Sequence, residues 1–182
     1  MSIVYERAED TNPEILRMAR EIMEQHHPEL KTPDGGYVRL CVMLAFQGGD
    51  NDGEPAVKLY GYPCYATIKS IPYKQRVDKR ADAEITIDRE KWDLLSDAQR
   101  RALLDHEITH LEIKRDENGA IKTDDAGRPL LELRLHDWQM GGFRSIARRY
   151  GADAIEVMEA RHFEEDYGKD VLKPEEKLFP VA

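Results

Sequence analysis

The stretch from Ser96 to Leu111 reads SDAQRRALLDHEITHL, and we take it as the element around which the chain is organised. Serine at its start and glutamine three positions later are typical of a capping box, which predicts where a helix begins. Apolar residues then recur at helical spacing up to Leu111. The stretch therefore predicts a capped helix of about four turns that packs one side against a core.

The same helix carries the pattern H-E-x-x-H at residues 106–110. Residues four apart share one face of a helix, so His106 and His110 can present two imidazole nitrogens to one metal ion. Zinc binds nitrogen ligands readily, and a carboxylate beside it can remove a proton from a water molecule at the metal. The pattern indicates a zinc-dependent hydrolase with Glu107 as catalytic base, but it supplies only two ligands.

A third metal ligand has to come from elsewhere in the chain, and three sources are considered. The longer pattern H-E-x-x-H-x-x-G-x-x-H would need glycine where Ile113 stands and a ligand at Asp116, so it fails at the sharp turn. His136 follows a predicted strand and opens a predicted helix, where it could point back at the metal, and it is favoured. An acidic residue of the last predicted helix would instead complete a His2Glu site, with three candidates: Glu156, Glu159 and Glu164.

Upstream of residue 96 the chain alternates between helix and strand patterns. Asn12 and Pro13 predict the start of an amphipathic helix that ends near His26 and His27. Adjacent residues do not share a helix face and a helix end is usually solvated, so this histidine pair is not favoured as a metal site. Further along, the patterns predict a buried strand, a hairpin or two short strands, a half-buried strand and a short helix, over residues 37–46, 56–73, 83–88 and 89–95.

Downstream of Leu111, turn signals at residues 116–119 and 124–129 precede a strand-like alternation over residues 130–135. A helix is predicted from about His136 to Tyr150, ending at Gly151, and a further helix over residues 152–166. Residues 173–182 have the composition of a tail. We expect a single α+β domain over residues 1–182, with its core at about residues 83–150.

Composition narrows the class of protein. The chain has 182 residues, of which 41% are hydrophobic and 35% charged, and it contains no apolar run of the roughly 20 residues that span a bilayer. The first residues do not have the pattern of a signal peptide, so we expect a cytoplasmic protein that does not enter the membrane. Cys41 and Cys64 are expected to be buried free thiols, because two cysteines at this spacing form neither a disulfide framework nor a metal knuckle.

Charge bears on possible partners. The formal net charge of -9 works against broad electrostatic binding to nucleic acid but is compatible with a local basic patch. Tyrosines interleaved with basic residues over residues 60–80 could stack on single-stranded nucleic acid or line a peptide groove. Half-buried strand tyrosines beside a solvated basic loop are the favoured interpretation, and oligomeric state is left open.

Three features of the sequence carry a resemblance to a known family. The H-E-x-x-H segment, the hairpin-like insert after it, and the run Leu135-His136-Asp137-Trp138 before a helix resemble the family called putative phage metallopeptidase, itself similar to SprT-like zinc proteases. The resemblance covers about residues 83–150, and the N-terminal helix and strands follow the family more loosely. It implies a minimal gluzincin-like (zincin, SprT-like) core with a small β-sheet packed on the H-E-x-x-H helix. It also implies Zn2+ on His106, His110 and His136, with Glu107 as base.

Zinc-dependent hydrolysis of a protein or peptide is therefore the leading hypothesis, in the host cytoplasm if the protein is phage-encoded. Asp137 could orient a metal-binding histidine or cap a helix. Two other classes remain: a non-catalytic binding module stabilised by zinc, and a phage-encoded factor that binds a partner protein through its acidic surface. The candidates for a group that stabilises the oxyanion are Arg134, Tyr150, His162 and Tyr167.

Overall fold

The computed structural model describes residues 2–48, 54–79, 81–136 and 142–167, and within these ranges the side chains of residues 77–79 and 163–167 are not described. The predicted tail at residues 173–182, Asp137, and the side chains of Glu164 and Tyr167 lie outside the described part. The chain divides into two compact units, Met1–Leu135 and His136–Ala182. None of the helices in the described ranges combines the length and apolarity needed to cross a bilayer.

The first unit is built on a four-stranded sheet. Its strands and those of two small hairpins are β1 Ile3–Arg7, β2 Leu40–Gln47, β3 Lys58–Leu59, β4 Tyr62–Pro63, β5 Ala66–Ser70, β6 Ala83–Asp88, β7 Leu111–Ile113 and β8 Leu131–Leu133. The order in the main sheet is β1-β2-β6-β5, with β2 and β6 parallel and the two outer strands antiparallel to their neighbours. Strand β6 lies between β2 and β5, and residues on both of its faces are buried, with Ile85 and Ile87 fully buried.

The α-helices of the first unit alternate with these strands along the chain, and two more helices follow in the second unit. They are α1 Ala8–Thr11, α2 Glu14–His26, α3 Tyr73–Lys79, α4 Arg89–Leu94, α5 Asp97–Thr109, α6 Arg144–Tyr150 and α7 Ile155–Tyr167. Helices α2 and α5 pack against each other, and α5 also contacts the outer strand β5. The H-E-x-x-H helix is thus held against both another helix and the sheet.

Helix α5 begins where the sequence predicts. Ser96 Oγ accepts a hydrogen bond from Gln99 N, and Gln99 Oε1 accepts one from Ser96 N, which completes the capping box. Its second half, from Ala102 to Thr109, is buried throughout, including polar side chains. A helix segment that is buried all round belongs to a core rather than to a surface, so the polar residues from Asp105 to Thr109 lie inside the unit.

The insert after α5 returns the chain to the end of that helix. Strands β7 and β8 pair antiparallel, with Leu111 opposite Leu133, and the two predicted turns lie between them. Arg134 N then donates a hydrogen bond to His110 O at 2.8 Å. The insert therefore brings the segment after β8 back to the H-E-x-x-H motif.

The second unit contains α6, a 3-10 turn at Gly151–Asp153 and α7. The prediction that a helix opens at His136 is wrong, because His136 is not helical and α6 begins at Arg144. Phe143, just before α6, has an extended backbone, and the Gly141-Gly142 pair before it disfavours a helix. The predicted end at Gly151 is confirmed, with φ 55°. The core of this unit consists of Phe143, Ile146, Ala147, Ala154 and Val157.

Most other predicted elements are confirmed within a few residues, and the α+β class is confirmed. Four predictions need correction. The expected solvated basic loop after the tyrosines contains helix α3, and Arg76 on this helix is buried. Tyr60 and Tyr62 are exposed rather than half-buried, because they lie in the separate β3–β4 hairpin and not in the main sheet. Both cysteines are free, but only Cys41 is buried. His27, expected at a solvated helix end, is buried.

Candidate metal centre

Two of the predicted ligands lie one turn apart at the end of α5. His106 is buried, whereas His110 is the partly exposed C-cap residue of the helix. Their ring centroids are 5.2 Å apart with an interplanar angle of 78°. The helix alone therefore places two imidazoles side by side, as the i, i+4 spacing predicts.

The orientation of the His110 ring is set by the chain that returns from the insert. Its Nδ1 lies 2.8 Å from the carbonyl oxygen of Arg134. A carbonyl oxygen only accepts hydrogen bonds, so Nδ1 carries a proton, and in the neutral ring Nε2 then keeps its lone pair. This is how metal-binding histidines are commonly oriented, through a hydrogen bond from the nitrogen that does not bind the metal.

His136, two residues after Arg134, completes a group of three. One ligand nitrogen from each of His106, His110 and His136 lies within 4.8 Å of the others, and the three could hold a metal ion. His136 follows Arg134 by two residues, and the Arg134 carbonyl is hydrogen-bonded to His110 Nδ1. The chain therefore holds His136 near the H-E-x-x-H motif. The His136 ring also packs edge-to-face on Phe143 at 5.1 Å between centroids.

The chemistry of these donors selects among metals. Imidazole nitrogens suit zinc, copper, iron and nickel, whereas magnesium and calcium prefer oxygen. Three protein ligands on zinc leave a position open for water or substrate, which is the pattern of catalytic rather than structural zinc sites. The residues present therefore fit a transition-metal ion with an accessible coordination position.

Glu107, the predicted base, is 5% exposed and is the neighbour of His106 in α5. A carboxylate is costly to bury unless polar or charged groups compensate it. Its burial in the half of the helix that carries the histidines is compatible with a role in moving a proton beside them.

The alternative third ligands have other contacts. Glu156 is buried, and its Oε1 accepts a hydrogen bond from Phe143 N at 3.1 Å, directly before α6. Asp116 accepts hydrogen bonds from Asn118 N and Ala120 N at 2.9 Å in a turn of the insert. Both carboxylates thus act locally on the backbone.

A second polar contact at α5 was not predicted from the sequence. Asp105 Oδ1 lies 2.7 Å from Nε2 of His27, and both side chains are almost completely buried. The signal that could have revealed it is the spacing of Asp105, three residues from both Ala102 and Ile108, which puts it on an apolar face of α5. Its partner, 78 residues earlier in the chain, has no such signal.

A family comparison now bears on this geometry. The family model described as "Putative phage metallopeptidase" matches residues 6–163. The chain belongs to this family. The match runs from β1 into α7, so it includes residues 83–150, the N-terminal helix and strands of the looser resemblance, and part of the last helix. No curated protein and no solved structure matches the chain. A metallopeptidase family indicates a metal, and the histidine group is a place where one could bind.

Proposed function

We propose that the protein is a zinc-dependent peptidase with zinc on His106, His110 and His136 and with Glu107 as its base. The observation that carries the proposal is the convergence of three imidazoles at the H-E-x-x-H helix in a member of a metallopeptidase family. A nitrogen-only set of three ligands matches catalytic zinc better than a hard cation. The substrate would be a protein or a peptide.

We also propose that the first unit is a minimal zincin-like core of the gluzincin or SprT-like type. Support comes from the packing of α5 on α2 and on strand β5 at the edge of the mixed sheet. In this arrangement α2 and the sheet pack against α5. The insert contacts the C-terminal end of α5 through the hydrogen bond from Arg134 N to His110 O.

When bound, zinc would lower the pKa of a water molecule and polarise the substrate carbonyl. The remaining steps belong to the chain. The Arg134 carbonyl holds the His110 ring so that Nε2 is available. Glu107 accepts a proton from the attacking water and gives it to the leaving nitrogen. A C–O bond forms and the peptide C–N bond breaks, so the products are a carboxylic acid and an amine.

The test compares the wild type with Glu107→Gln and with the control Glu112→Gln, an exposed glutamate on β7 that undergoes the same loss of charge. Metal content and cleavage of a peptide library are measured together. We expect stoichiometric zinc in all three, and a loss of about 10²- to 10⁴-fold in cleavage rate for Glu107→Gln only. Wild-type cleavage by Glu107→Gln would overturn the role of the base. A wild type without a bound metal would overturn the metal centre.

A further inference from the structure

We propose that His27 and Asp105 form a positioning pair that sets the orientation of α5 and hence the position of the histidine nitrogens. The inference rests on the proposed function, because it concerns how that metal centre is held. Neither residue is a proposed ligand. Asp105 is nevertheless the residue directly before His106, and His27 follows the last residue of α2.

The geometry of the pair is that of a strong hydrogen bond in an interior. His27 is 4% exposed and Asp105 is 0% exposed, and Nε2 and Oδ1 are 2.7 Å apart. The other ring nitrogen, Nδ1, lies 3.0 Å from Oε1 of Glu29, whose side chain is largely exposed. The imidazole therefore links a fully buried carboxylate on α5 to a surface carboxylate in the turn after α2.

The buried apolar contacts between the two helices are less directional. The buried face of α2 is apolar and consists of Ile15, Met18, Ala19, Ile22 and Met23. Apolar burial is not directional, whereas a hydrogen bond weakens steeply when its angle departs from linearity. The contact between His27 and Asp105 is therefore suited to fix the rotation of α5 and its position along its own axis.

A small rotation would matter for metal binding. A side-chain atom about 6 Å from a helix axis moves by about 0.5 Å when the helix turns by about 5°. Metal-ligand distances are tolerated within only about 0.2 Å of their ideal values. Because Asp105 and His106 are consecutive, the fixed point lies next to the first ligand.

Stability alone is a weak explanation for such a pair. A buried pair of charged or polar groups often contributes nothing net, and replacing both partners by apolar residues is frequently neutral or stabilising. The same two helices also share a second pair, Arg101 Nη2 and Glu21 Oε2 at 2.8 Å, which is partly exposed to solvent. An exposed pair contributes little, and it serves as a control.

The experiment compares the wild type with the double variant His27→Leu/Asp105→Leu and with the control double variant Glu21→Leu/Arg101→Leu. Zn2+ affinity is measured by competition with a chelator, the visible spectrum is recorded with Co2+ as the probe, and the fold is checked by denaturant unfolding. We expect the His27/Asp105 variant to fold, to lose about 10- to 100-fold in Zn2+ affinity and to show an altered Co2+ spectrum. The control should match the wild type in affinity and spectrum. Asp105→Asn keeps an acceptor for His27 and should restore most of the affinity.

A folded His27/Asp105 variant with wild-type affinity and spectrum would overturn the positioning role and leave the zinc peptidase proposal intact. A wild type that binds neither Zn2+ nor Co2+ would overturn both. If the double variant does not fold, His27→Asn/Asp105→Asn replaces it, because it removes the buried charge together with the imidazole. The asparagine side chain at position 27 is too short to reach residue 105, so this variant should show the same loss of affinity, and unchanged affinity would overturn the inference.

Discussion

Two clusters of polar side chains in this protein differ in the kinds of groups that they bring together. In the arginine–aspartate cluster, Arg76 lies 3.4 Å from Asp82 and 3.3 Å from Asp124, and Arg128 lies 2.7 Å from Asp82. Arg76 also donates to the carbonyls of Ile71 and Pro129 at 2.8 Å. Every cation in this cluster faces an anion of the same chain.

The histidine cluster is organised differently. His106, His110 and His136 bring groups of one kind to one point, with their ligand nitrogens within 4.8 Å of one another. Imidazole nitrogens of neutral rings that converge in this way can share one transition-metal cation. Internal complementarity thus marks the first cluster as part of the framework, since it ties α3 to the turns of the insert. Convergence of three donors of one kind makes the second a candidate site for a metal ion, as proposed above.

The largest expected effect is the loss of zinc and of cleavage when a histidine of the second cluster is removed. His110→Ala should remove stoichiometric zinc and lower the cleavage rate by more than the about 10²- to 10⁴-fold expected from losing the base alone. Unfolding of the metal-free chain should change by no more than about 1 kcal/mol, because one hydrogen bond to Arg134 is lost. Metal analysis, peptide cleavage and denaturant unfolding measure this, with His26→Ala as the control. Retention of stoichiometric zinc by His110→Ala would contradict the assignment of the histidine cluster as the metal site.

The next effect is the opposite one at the arginine–aspartate cluster, where a substitution should lower stability and leave zinc binding intact. Arg76→Met leaves Asp82 and Asp124 buried without this cation, so the free energy of unfolding should fall by about 3–5 kcal/mol. The folded fraction should still bind zinc. Denaturant titration measures the change, and Arg115→Met, at an exposed position of the insert, should stay within about 0.5 kcal/mol of the wild type. If Arg76→Met kept normal stability but lost zinc, the arginine–aspartate cluster would act at the metal site and not as part of the framework.

The smallest effect concerns the partly exposed ion pair Glu21–Arg101, which belongs to neither cluster and shows how much an ordinary surface pair contributes. The hydrogen bond from Arg101 holds the pKa of the Glu21 carboxyl below its ordinary value, despite the opposing effect of desolvation. Because the pKa is lower in the folded state, the pair stabilises the fold above the pKa of the unfolded chain. This contribution is lost as pH falls through the lowered pKa. An NMR titration of Glu21 should show the low pKa, and Arg101→Met should raise it toward the ordinary value. An unchanged pKa in that variant would exclude Arg101 as the cause.

Much of the framework follows from local patterns. The capping box of Ser96 and Gln99, the alternation in residues 83–88 and the proline at position 13 act over a few residues, and the elements they predict are present. The i, i+4 spacing of His106 and His110 likewise needs only helix geometry. The choice of His136 as third ligand was a hypothesis about long-range contact, and the structure brings that residue to the other two. The start of α6 was misplaced because a histidine after a strand does not by itself cap a helix.

Tertiary structure decided the features that depend on residues distant in sequence. The bond between His27 and Asp105 joins residues 78 positions apart, and the contact of Arg134 O with His110 Nδ1 depends on how the insert folds back. The pairing of Arg76 with Asp124 likewise depends on where the insert packs. Local spacing predicts which side chains share one face of an element, since helix and strand geometry repeat within a few residues. Which elements then meet is determined by packing and by compensation of buried polar groups, and neither has a period along the chain.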